Sequence, residues 1–168
     1  MSTQVTVHRM VTTTTTSAFL INVGYLKTFP GILKIFQIIL GCVAIGIIGH
    51  YIPWTRTADF MVPELFFLLI ATACLITTTL LLMSCLCSIA TASIIPKTLF
   101  VVLLHGTLSY LLVCSSINLL RELVARNEGY KIYERGYNSK IFSGALGLVN
   151  TALYILSSIY SVRTFRRG

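Results

Sequence analysis

The stretch "GYLKTFPGILKIFQIILGCVAIGIIGHY", Gly24 to Tyr51, carries a long apolar run with two lysines at its entrance and glycines through its middle. A helix that crosses a bilayer needs about 20 apolar residues at about 1.5 Å rise each. Ile32 to Ile52 supplies that length. Lys27 and Lys34 lie on either side of Pro30, where long side chains reach the headgroups. A pore wall would need a sustained polar face, and Gln37 alone does not provide one. The stretch therefore reads as an anchor and a packing surface together.

The rest of the chain repeats that solvent preference. Hydrophobic residues make up 55% of the 168 and charged residues only 11%, against about a quarter charged in a soluble domain. The mean hydropathy of +0.84 says the same. Further spans are expected over Pro63 to Ile89, Thr98 to Leu120 and Ile141 to Val162. The expected fold is an all-α integral membrane protein, a four-helix transmembrane bundle. Residues 1–24 form a polar, Thr-rich tail, and residues 25–167 the four-span domain. Met1 to Ser17 has no apolar core ahead of a small-residue cleavage site, which argues against a removable signal peptide.

Four spans place both termini on one side. The formal charge of +8 comes from basic residues lying mostly between and beyond the spans. This pattern points to anionic lipid headgroups and away from nucleic acid. Lys27, Lys34, Arg163, Arg166 and Arg167 are expected to form a headgroup collar on the terminal side; Lys and Arg are nearly balanced between the two sides, and the basic stop "RTFRRG" only tilts the terminal side towards the cytoplasm. "RELVARNEGYKIYERGYNSK", Arg121 to Lys140, is the one substantial connection, expected on the opposite side.

Chemistry is scarce within the spans. No carboxylate is expected inside the membrane, since Glu64 stands at the edge of the second span and Asp59 in a connection. That removes the main signature of a proton- or ion-coupled machine. No nucleophile–base pair, phosphate-binding loop or zinc pattern occurs, so no enzyme, catalytic residue, cofactor or metal site is expected. His105 is the one ionisable side chain deep in a span, in line with Ser109, Leu112 and Ser116 on one helix face. His105, Ser109, Ser116, Asn118 and Asn150 are expected to hydrogen-bond across helices, because lipid offers no partner.

Small residues mark packing faces. Cys42, Gly46 and Gly49 on the first span, and Ser143, Gly147 and Thr151 on the last, allow close backbone approach. They serve either an antiparallel bundle or self-association through an outer face, which would give a homo-oligomer. Cys85 and Cys87, in "MSCLC", are candidate palmitoylation sites.

The run "YLKTFPGILKIFQIILGCVAIGIIGHY" resembles the entry and first span of MARVEL-domain proteins. "FFLLIATACLITTTLLL", "IPKTLFVVLLHGTLSYLLVCSSINLL" and "GALGLVNTALYILSSIYSVRTFRR" are similar to the later spans. The likeness covers about Tyr25 to Arg167 and falls towards the short-tailed MAL and chemokine-like-factor-like branch. It implies cytoplasmic termini and a non-enzymatic role in membrane apposition, vesicle trafficking or cell-junction organisation. The implied location is the plasma membrane, including cell junctions, or trafficking vesicles. Partners would be membrane lipids and other integral membrane proteins.

Two other function classes stand beside that one. A septate- or tight-junction-type barrier component would use its outer loops, with Tyr130, Tyr133 and Tyr137 as the contact residues. A channel or transporter is the third.

Overall fold

The computed structural model describes residues 22–52, 62–129 and 136–167. Four long helices dominate: α1 (Phe29–Tyr51), α2 (Val62–Cys87), α4 (Leu99–Gly129) and α5 (Tyr137–Arg167). A short helix, α3 (Ile89–Ile94), links α2 to α4, and 3-10 turns occupy Val23–Lys27 and Ile95–Lys97. No strand occurs among the described residues. All four long helices have the length and composition to cross a membrane.

Local chemistry fixes the helix ends. Thr28 caps α1: its hydroxyl accepts from the Gly31 N–H at 3.3 Å and donates to the Tyr25 carbonyl at 2.6 Å. Pro30 follows in the first turn, where a missing N–H costs nothing. The second span was expected to continue to Ile89. It stops at Cys87 because Ser88 is extended and caps α3, accepting from the Thr91 N–H at 3.2 Å. The connection from Arg121 to Lys140 is mostly helix: α4 runs on to Gly129, burying Leu119 and Leu123, and α5 starts at Tyr137.

The helices form a ring in which α1 packs on α2 and α5, and α4 packs on α2 and α5. The Asn22 N–H donates to the Leu86 carbonyl at 2.7 Å, so the start of α1 lies against the end of α2. At the far pole the starts of α2 and α5 meet the end of α4. Consecutive spans therefore alternate in direction.

The distribution of side chains is that of a protein solvated by lipid. Large apolar residues such as Phe36, Leu69, Leu80, Leu103, Val149 and Ile155 face outward. The buried face of α5 is instead Lys140, Ser143, Gly144, Gly147, Asn150, Thr151, Tyr154, Ser157 and Ser161. Hydrocarbon gives apolar side chains no reason to turn inward. Polar and small ones gain hydrogen bonds and close contact by doing so.

Candidate functional site

The polar interior runs between two poles of opposite character. At the pole formed by the start of α2, Glu64 is wholly buried. Its Oε1 accepts from Arg126 Nη1 at 2.9 Å and from Lys140 Nζ at 3.1 Å. Glu64 stands in the first turn of α2 and Arg126 in the last turn of α4. Both placements complement the helix dipoles. Lys140, in the first turn of α5, is unfavourable to its own helix, and the Glu64 carboxylate offsets that. One carboxylate thus ties three helices together. Glu64 does stand at the edge of the second span, as expected, but it is turned into the bundle, and Arg126 and Lys140, expected in a connection, lie in helices α4 and α5. Hydropathy placed Glu64 at a span edge, but its helix face turns it inward.

Midway, the polar groups divide between bonds across helices and bonds to their own helix. Gln37 Nε2 donates to Ser157 Oγ at 2.9 Å, Asn150 Nδ2 to the Gln37 carbonyl at 3.3 Å, and Ser143 Oγ to the Ala44 carbonyl at 2.9 Å. Tyr154 reaches across the axis from α5 to α2. Its hydroxyl lies 2.5 Å from Thr78 Oγ1 and 3.1 Å from the Cys74 carbonyl. Tyr154→Phe should lower the unfolding free energy by about 1 kcal/mol, the ordinary worth of interhelical hydrogen bonds in membranes. Thermal unfolding in detergent reads that loss.

His105, Ser109 and Ser116 share the buried face of α4, yet each satisfies a carbonyl of its own helix. His105 Nδ1 lies 2.8 Å from the Val101 carbonyl, Ser109 Oγ 2.8 Å from Gly106 and Ser116 Oγ 2.7 Å from Leu112. A carbonyl only accepts, so Nδ1 carries the proton. The ring lies 6.3 Å from that of Tyr154. Asn118 is only partly buried. Of the five polar residues expected to bridge helices, Asn150 is the one with a bond to another helix. Gln37, Tyr154 and Thr78 bridge too. The sequence signal for them was the same three-and-four spacing, read too narrowly.

The two small-residue ridges part company. Ser143, Gly147 and Thr151 lie inside, with Gly147 against Ser116 and Phe67. Cys42, Gly46 and Gly49 face outward, and a Cβ at Gly46 or Gly49 would meet nothing within 4 Å. The small residues of α1 that do pack are Gly41, near Leu75 and Asn150, and buried Ala44.

Lys34 also departs from expectation. Lys27, Arg163, Arg166 and Arg167 are exposed, as headgroup contacts require. Lys34 is only 6% exposed, because it shares its helix face with Gln37, Gly41 and Ala44. It lines a half-enclosed cavity of about 20 Å³ with Tyr25, Cys85, Pro96, Tyr160 and Ser161. Cys85 is buried there, whereas Cys87 is partly exposed. Burial, with the Cys85 thiol second, raises the affinity of the Tyr25 phenol for its proton above the ordinary tyrosine value. Of the three tyrosines assigned to the third connection, Tyr130 and Tyr133 lie outside the described residues. Tyr137 packs against the core. No group of three or more potential metal ligands occurs among the described residues.

Four apolar spans, a polar interior and ends tied by caps and ion pairs define a multi-pass membrane bundle. Residues 25–160 match the MARVEL family, described as a membrane-associating domain. The chain belongs to the MARVEL family. No curated protein and no solved structure matches it.

Proposed function

We propose that this protein is a non-enzymatic organiser of membranes that works through its lateral surface. It would act in membrane apposition, vesicle trafficking or cell-junction organisation, at the plasma membrane or in trafficking vesicles. Its N and C termini would face the cytoplasm, and its partners would be lipids and other integral membrane proteins. The observation that carries this reading is the segregation of side chains. The polar groups of α5 are turned inward and bonded within the bundle, while an apolar surface from all four spans faces outward. A protein so arranged meets its surroundings mainly through lipid-facing contacts.

Proximity labelling and density fractionation of the tagged full chain test this. Enrichment in one membrane domain with a recurrent set of multi-pass neighbours is the expected result. A uniform distribution with no recurrent membrane neighbour would count against it.

A transport reading gains one specific support, the buried carboxylate of Glu64. Reconstituted liposomes decide between the two. Proton or ion flux that Glu64→Gln or His105→Ala abolishes would favour transport, and flux no greater than in empty vesicles would retire it.

A further inference from the structure

Lys34 is a buried cation with no counter-ion among the described residues. Among the described residues it makes no hydrogen bond or ion pair, and the Cys85 thiol lines the same cavity. The sequence explains why. The chain has five acidic residues: Asp59, Glu64, Glu122, Glu128 and Glu134. Glu64, Glu122 and Glu128 belong to the start of α2 and the last turns of α4. Asp59 and Glu134 lie outside the described residues. The pole of Lys34 holds Lys27, Lys97, Arg163, Arg166 and Arg167 as well, and none of the three described acids. A buried ammonium needs an anion or a strong acceptor, and none of the described residues is ion-paired with it.

The cavity says what shape that anion has. About 20 Å³ exceeds the room one water-sized group needs, so at least one oxygen of an anion fits. One oxygen can enter while the group that carries it stays at the mouth. Around the cavity stand the turn of Pro96, the buried Tyr25 and the ring of Tyr160, whose centroid is 5.7 Å from that of Phe29. Exposed Lys27 and Lys97 belong to the two 3-10 turns that flank it, at the depth where a span ends and headgroups begin.

We propose that Lys34 is the centre of a discrete binding site for one anionic membrane lipid, whose phosphate oxygen enters the cavity between the 3-10 turns and the ends of α1, α2 and α5. The site differs from a headgroup collar in kind. A collar is a set of mobile side chains reaching out to many lipids, whereas here one headgroup reaches in to one fixed ammonium. Exposed cations at the mouth draw anionic lipid to the region, and Lys34 selects a single molecule. The proposal goes beyond the organising role above, since the site would persist whatever the protein's location.

Native mass spectrometry of the full chain in a mild non-ionic detergent tests it. The probes are phosphatidic acid, phosphatidylserine and phosphatidylcholine with matched acyl chains, and inorganic phosphate alone. One saturable phosphatidic acid or phosphatidylserine is expected per chain, with phosphatidylcholine at least about tenfold weaker. Lys34→Met should abolish the saturable component, while Lys27→Ala and Lys97→Ala each weaken it by about fivefold or less. Methionine fills the same space without a charge, so the variant should fold at least as stably as the parent. Lys34→Arg, which keeps the charge, controls for packing and should retain lipid. Equal binding of phosphatidylcholine, or undiminished binding by Lys34→Met, would overturn the proposal. Saturation by inorganic phosphate with no preference for the lipid would overturn the lipid assignment. A uniform cellular distribution would refute the organising role and leave this result standing.

Discussion

Glu64→Gln is expected to be the most damaging single substitution in the charged interior. Arg126 and Lys140 share one oxygen of this carboxylate, at 2.9 and 3.1 Å, and the carboxylate itself is wholly buried. Glutamine keeps the shape and removes the charge, so two cations in a low-dielectric setting lose their common counter-ion. Removing one partner of a buried ion pair costs about 3–5 kcal/mol. For a chain of this size that corresponds to a fall in midpoint of roughly 6–20 °C. The buried thiols of Cys74 and Cys85 provide the readout, since a thiol-reactive dye labels them only on unfolding. Lys140→Met should cost less than Glu64→Gln, because Arg126 still neutralises the carboxylate. The double variant Glu64→Gln/Lys140→Met should lose less than the sum of the two, as expected of groups in direct contact. A midpoint for Glu64→Gln within about 2 °C of the parent would mean the cluster contributes little to the fold.

The same cluster shows where reading the sequence stopped. Span number and fold class were legible because apolar length alone reports them. The buried face of α5 was legible too, since Ser143, Gly147 and Thr151 repeat every fourth residue. The inward turn of Glu64 and Lys34 was missed for a shared reason. Hydropathy averages over a helix and ranks both as edge residues, but it carries no information on which way a side chain points. That information lies in the register. Lys34, Gln37, Gly41, Ala44 and Ile48 recur at three and four and are all buried. Glu64, Phe67, Ala71, Cys74 and Thr78 do likewise on α2. In a lipid-solvated bundle the polar and small positions of each register mark the inside. Gly46 and Gly49 fall off the register of α1 and face outward. The choice of partner within the core was not legible. Whether Ser116 bonds its own helix or the next depends on a few tenths of an ångström in helix separation, which one span's sequence does not encode.

Gly147 lies at a close crossing of α5 with its neighbours, and a side chain there should force α5 away from them. A Cβ built at this position would overlap Ser116 Oγ and lie 2.7 Å from the Phe67 ring, closer than real contacts allow. Ser116 and Phe67 are both fully buried, so neither can swing out to solvent. Gly147→Val is therefore expected to cost about 3 kcal/mol or more, at the upper end of overpacking effects. Gly147→Ala should cost less but remain clearly destabilising. Ser116→Ala removes the overlapping hydroxyl, whose hydrogen bond is only to its own helix at Leu112. Combined with Gly147→Ala it should recover part of the loss, while Ser116→Ala alone changes little. Gly46→Leu and Gly49→Leu serve as controls, since nothing lies within 4 Å of their added Cβ. Both should unfold within about 0.5 kcal/mol of the parent, or above it through better helix propensity. Equal losses at Gly46 and Gly147 would contradict the assignment of the two small-residue ridges to opposite sides of the bundle wall. A large loss at Gly147 alone, partly relieved by Ser116→Ala, would identify the crossing of α4, α5 and the Phe67 ring as the contact that fixes the spacing of the bundle.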